Sequence, residues 1–167
     1  IPDRKNSITL FEELEKGWVS VRMAKGLCHL GTLPDKPLVF VAAGTGFAQM
    51  KSMIEHCFHQ NHPHAMHLYW GARSPEGFYL PCLPVHWSSS QFHYHPVVSE
   101  VSDEGIWEGR QGLLFEAILA DKEQLKDCEI YISGSPQMVY ATIDALVREN
   151  FKDKNIHSDV FEYAPRH

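Results

Sequence analysis

Glycine, serine and threonine stand where the apolar runs of this sequence stop. PLVFVAAG (37–44) runs into Gly44-Thr45-Gly46, and AMHLYWGA (65–72) into Gly71-Ala72-Arg73. FHYHPVVS (92–99) ends in Ser99-Glu100, and CEIYISG (128–134) in Ser133-Gly134-Ser135-Pro136. Residues of these types offer backbone N–H groups, hydroxyls and room for close approach, which is the chemistry of holding a phosphate at a helix N-terminus. Each turn alone is weak evidence. Gly44-Thr45-Gly46 lacks the third glycine of the dinucleotide fingerprint, because Gln49 stands in its place, and no Walker lysine is present. A tight strand-to-helix turn accounts for it equally well.

A second possible chemistry is metal binding. The chain has 11 histidines, concentrated in HCFHQNHPHAMH (56–67), where His56 and His59 would share a helix face beside Cys57. That stretch runs off a helix end into a polar Asn-His-Pro loop that tolerates exposed histidines, so no native metal site is expected. The cysteines Cys28, Cys57, Cys82 and Cys128 form no CxxC pair and no cluster-ligand spacing. Reduced thiols in a cytoplasmic protein are the simplest expectation. A net charge of −6 argues against a nucleic-acid partner, which requires a basic face. No apolar run approaches the length of a membrane span, and IPDRKNSITL has neither the basic start nor the apolar core of a signal peptide. With no initiator Met, the chain reads as part of a longer one.

The elements that must position these residues follow from periodicity. The run 37–44 is continuously apolar, as strands covered on both faces are. After it, Phe47, Met50, Met53, Ile54, Cys57 and Phe58 recur at helical spacing. Residues 65–72, 92–99 and 128–134 read as further strands, 112–121 as a short helix, and SDVFEY (158–163) as a closing strand. SPQMVYATIDALVREN (135–150) is the clearest helix, with Ser135 as its cap and Pro136 at its first position. Strands alternating with helices predict an α/β fold, a three-layer α/β/α domain on a parallel sheet. Residues 1–33 stand outside this rhythm: FEELEKG reads as helix, WVSVRMA as strand and KGLCHLG as a turn.

Taken together, the strand ends resemble the nucleotide-binding half of the ferredoxin–NADP reductase superfamily. VAAGTGFAQMKSMI is similar to its AGGTGxxP pyrophosphate loop, with Ala43 for one glycine and Gln49 for the proline. HLYWGARSPEGFYL resembles the YWGxRxxxDLY segment, and WEGRQGLL the WxGRxG stretch of NADH-using members. YISGSPQMV resembles the Cys-Gly-x-Pro-x-Met signature, with Ser133 in the cysteine position, and SDVFEY the last strand. The nearest resemblance is to NAD(P)H–flavin reductases and oxygenase reductase subunits.

This resemblance implies a ferredoxin reductase-like domain at 34–167, with 1–33 the C-terminal remnant of a flavin-binding β-barrel. It implies an oxidoreductase that passes hydride from NADH, or less readily NADPH, to FAD, FMN or free flavin. Electrons would then go to an oxygenase or an iron–sulfur protein. Gly44, Thr45 and Gly46 would hold the pyrophosphate, and Gly71, Ser135, Gln137 and Met138 would contact the nucleotide. Gly134 would admit the nicotinamide ribose, with Ser133 and Phe161 at the reacting rings. NADPH-preferring members carry Ser-Arg where Ser99-Glu100 stands here; a carboxylate repels the 2′-phosphate and suits a free diol, unless Arg73 offsets it. The family's flavin-binding Arg-x-Tyr/Phe-Ser motif is absent, so flavin would be held mainly by a domain outside this chain. The rival reading is a regulatory nucleotide-binding module without catalysis, or an electron-transfer subunit of an oxygenase.

Overall fold

The computed structural model describes residues 4–20, 26–87, 89–101 and 107–166. Helix α1 (Arg4–Glu15) leads into irregular chain, and strand β1 (Leu38–Ala43) then opens an alternating series. A 3-10 turn, Gly44–Gly46, joins β1 to α2 (Phe47–His59), followed by β2 (Met66–Ala72), α3 (Leu83–His86) and β3 (Phe92–Val98). Next come β4 (Arg110–Gln111), α4 (Leu114–Ala120), α5 (Lys122–Leu125), β5 (Glu129–Ser133) and α6 (Pro136–Arg148). Strand β6 (Ile156–His157) and the single turn α7 (Val160–Tyr163) close the series.

The sheet has six strands in the order β4-β3-β2-β1-β5-β6, and every pairing is parallel. β1 lies inside it, in register with β2 from Leu38↔Met66 and with β5 from Leu38↔Glu129. Its side chains divide by the strand period of two. Leu38, Phe40 and Ala42 pack with Phe47, Met50 and Ile54 of α2 on one face, whereas Val39 and Val41 meet Ile118 of α4 and Val139 and Ile143 of α6 on the other. Both faces are covered, which is why β1 reads as an unbroken apolar run. The expected three-layer arrangement is thus present.

Two expectations change. SDVFEY is not a strand: β6 pairs with β5 only through Ile156 and His157, and the chain then turns. The Ser158 hydroxyl accepts the Val160 N–H, Asp159 has helical backbone angles, and Ala164 N–H bonds back to Val160. Ser and Asp compete locally for backbone N–H groups in this way, and they start the turn. The strand expected at 18–24 falls partly outside the described residues; its described part, Trp18 to Ser20, has no strand structure.

Candidate functional site

From β1 the chain builds the sheet outward through β2, β3 and β4, then returns to the other side of β1 as β5. Ligands of open parallel sheets bind where the connections diverge in this way. A cavity of about 1090 Å³ lies there, bordered by Gly44, Thr45 and Gly46 after β1 and by Ser133, Gly134 and Ser135 at the end of β5. Gly44 has φ +55°, and a Cβ at this position would meet nothing within 4 Å, so the backbone is left-handed beside open space. Gly46 serves packing instead: its Cβ would lie 2.2 Å from the Ser133 carbonyl oxygen.

Two 13-residue helices, α2 and α6, begin at this cavity. The start of α2 has no side-chain cap, while the Ser135 hydroxyl accepts the Met138 N–H at 3.3 Å with Pro136 in the first turn of α6. No lysine or arginine borders the cavity among the described residues. An anion held here would therefore rest on N–H groups and helix dipoles.

Two further residues at the cavity carry buried oxygens without a protein partner: Gln49 Oε1 and Asp159 Oδ1. Gln49 Nε2 donates to the Cys28 carbonyl at 3.1 Å, which fixes the amide in place. Burial lifts the Asp159 carboxyl above the usual carboxylate range. A buried acceptor left without a partner costs ~1–3 kcal/mol.

The residues expected at the site divide into groups. Gly44, Thr45, Gly46, Ser133, Gly134 and Ser135 share the main cavity. Ser135, Gln137 and Met138 border a second cavity of about 290 Å³ against Leu113 and Leu114 of the α4 start. Met138 also packs against the core, its Sδ accepting the Thr142 hydroxyl at 3.5 Å. Ser99 and Glu100 extend β3 at the carboxyl-end rim, outside both cavities; Arg73 Nε pairs with Glu100 Oε2 at 2.9 Å, and Glu76 is bonded to Ser74 instead.

Two residues fall elsewhere. A Cβ on Gly71 would lie 2.7 Å from Leu114 Cδ1, so this glycine admits α4 to the sheet and does not border the cavity. Phe161 lies across α7 from the cavity, with its ring centroid 6.2 Å from that of Tyr140. The cause is the helical turn. In a strand, 159, 161 and 163 would share a face; in a helix, Asp159 and Tyr163 share one and Phe161 takes the other. Asp159 and Tyr163 therefore reach the cavity, and Tyr163 Oη donates to the Gly134 carbonyl at 3.3 Å. Neither was expected from sequence, where Phe161 alone of this segment was assigned to the site.

Trp70 and Trp107 serve the packing. Trp70 is fully buried and stacked on Phe47 at 3.7 Å, and Trp107 donates its Nε1–H to the Arg110 carbonyl. All four cysteines are free, and among the described residues no group of three or more His, Cys, Asp or Glu is arranged to hold a metal ion. No helix of the described residues is long and apolar enough to cross a membrane.

Comparison with known proteins agrees with this geometry. A family model described as "Oxidoreductase NAD-binding domain" matches residues 40–144. The chain is 34% identical to "Protein RfbI" of Salmonella typhimurium over 167 residues, covering 96% of this chain and 48% of that protein. It is 30% identical over 132 residues to the "NAD(P)H-flavin reductase" of Vibrio harveyi, covering 77% of this chain and 55% of that one. The chain thus spans about half the length of these relatives. Its fold is similar to that of the "Ferredoxin reductase in carbazole 1,9a-dioxygenase", with TM-score 0.65 and 23% identity over 75% of this chain and 37% of that one. A family model covering the turn after β1, the β5 end and most of α6 leaves one assignment: the chain belongs to the oxidoreductase NAD-binding domain family.

Proposed function

We propose that this chain is the nicotinamide-nucleotide-binding part of a flavin-dependent reductase. It presents NADH to FAD, FMN or free flavin, and electrons pass on to an acceptor such as an oxygenase or an iron–sulfur protein. One observation carries the reading: a cavity at the divergence of β1 and β5 where two helices begin, with an open left-handed glycine and no basic side chain.

Thr45 and the N–H groups following Gly44 hold the pyrophosphate. Ser135, Gln137 and Met138 flank the adenosine side, and Gly134 admits the nicotinamide ribose. The dihydronicotinamide supplies a hydride, and the flavin takes it up as a two-electron acceptor. Such a transfer requires ring alignment and exclusion of water, with no strong acid or base. That suits Ser133, which is 5% exposed at the end of β5. At the rim, Glu100 favours NADH, because it already occupies Arg73 and repels a 2′-phosphate.

The remaining half of the protein, on this reading, supplies the flavin site, and residues 1–33 belong to it. The solvent-facing Ile8, Phe11, Leu14 and Trp18, between 50% and 74% exposed, support this: such apolar spacing suits a surface covered by a partner domain. The free thiols are in keeping with a cytoplasmic location. Separate titrations of the chain with NADH and with FAD test the function. NADH should bind saturably and FAD only weakly; absence of NADH binding would remove the reading.

A further inference from the structure

α7 is a single turn, too short to hold itself. Its position matters nonetheless, because Asp159 and Tyr163 border the nucleotide cavity on the Gly134 side. Val160 anchors the turn in the core and Glu162 accepts the Leu27 N–H; the rest of what holds it lies outside the cavity, on α6 and in the residues that follow α7. Tyr140 Oη donates to the Ala164 carbonyl at 2.8 Å. Arg166 binds Asp144 through both arms, Nη1 to Oδ1 at 2.6 Å and Nη2 to Oδ2 at 2.9 Å. The same guanidinium lies 4.1 Å from the centroid of the Tyr140 ring. Tyr140 and Asp144 are four residues apart on α6, so both project from one face and present a single seat.

We infer that Tyr140, Asp144 and Arg166 form a clasp of positioning residues that holds Tyr163 against Gly134 and so sets the cavity wall for the nicotinamide half of the nucleotide. The inference rests on the function proposed above. An isolated exposed ion pair would not suffice, since such pairs contribute little. Here a bidentate fork, a cation–π contact and a tyrosine hydrogen bond converge on three consecutive residues, Ala164 to Arg166. Pro165 fixes one backbone angle between them, so a displacement of Arg166 is transmitted to Tyr163 with little slack.

The clasp separates the two halves of the ligand. ADP-ribose occupies the phosphate turn and the adenosine side but lacks nicotinamide. Arg166→Ala should weaken NADH binding by about three- to tenfold and leave ADP-ribose affinity unchanged. Arg166→Lys, which keeps the charge without the fork, should lie between. The charge exchange Asp144→Arg with Arg166→Asp should restore most of the NADH affinity. Both side chains are substantially exposed, at 39% and 50%, so these variants keep the fold. Equal losses for both ligands, or unchanged NADH affinity in Arg166→Ala, would overturn the positioning role. An unaltered chain that binds neither ligand would overturn the nucleotide reading itself, and the clasp's role with it. An unaltered chain that binds ADP-ribose as tightly as NADH would overturn the clasp alone.

Discussion

At the scale of single residues, the site turns on backbone positions more than on side-chain chemistry. Gly44 combines φ +55° with empty space at its Cβ direction, so its neighbours exclude no side chain and only a ligand would. Gly44→Val should retain the native circular dichroism at a cost of ~1–2 kcal/mol for the left-handed backbone, while NADH binding is abolished. Unchanged affinity by calorimetry would take the pyrophosphate away from this turn. Glu100 makes the complementary case through charge. Glu100→Arg removes the partner of Arg73 and leaves two cations at the β3 end. Charge-assisted hydrogen bonds contribute ~1.5–3 kcal/mol each, so the NADPH/NADH affinity ratio should rise by roughly tenfold or more. A ratio that stays fixed would place the ribose 2′ position elsewhere.

At the scale of elements, the β2–β3 pair carries a histidine group on the sheet face away from α2. His67 Nδ1 lies 3.4 Å from His95 Nε2, His93 stacks on His67, and Tyr69 stacks on His95. The Tyr69 hydroxyl donates to Asp121, which also pairs with Arg110 of β4. Burial, reinforced by His93, lowers His67 to about 4; burial, reinforced by Arg110, lowers His95 to about 4. Both values lie below the unfolded reference of 6.5, so in the interval between them the unfolded chain binds more protons. The stability from these residues is complete above pH ~6.5 and falls as the pH drops toward 4. The melting temperature should therefore decline between pH 6.5 and 5, where carboxylates remain ionised. His67→Leu with His95→Phe should flatten that slope; parallel profiles for the two proteins would assign the decline elsewhere.

At the scale of the whole molecule, the connection order decides where chemistry can occur. Strands added outward from β1 in both directions leave a divergence at the β1 and β5 ends, and both 13-residue helices start there. The net charge of −6 would not prevent dinucleotide binding on this design, because N–H groups and helix dipoles would contact the anion without a basic surface. Phe11 of α1 and Trp18 just beyond it, 66% and 74% exposed, mark an apolar surface that the packed sheet domain does not cover.

The sequence by itself determined the layers. Continuous apolar runs at 37–44, 65–72 and 128–134 and the spacing after Phe47 and Pro136 suffice for a parallel three-layer fold, since burial on both faces leaves no alternation. It also pointed to the turn after β1, but only through the other strand ends read with it; Gly44, Thr45, Gly46, Ser133, Gly134 and Ser135 do converge on one cavity. Side-chain direction was settled by tertiary structure. Gly71 faces Leu114, a contact between residues 43 positions apart that no local pattern encodes. Phe161 turned away and Asp159 and Tyr163 turned in because a short Ser-Asp turn replaced the last strand. That choice depended on β6 stopping after two paired residues, and on α6 supplying Tyr140 and Asp144 to hold the tail.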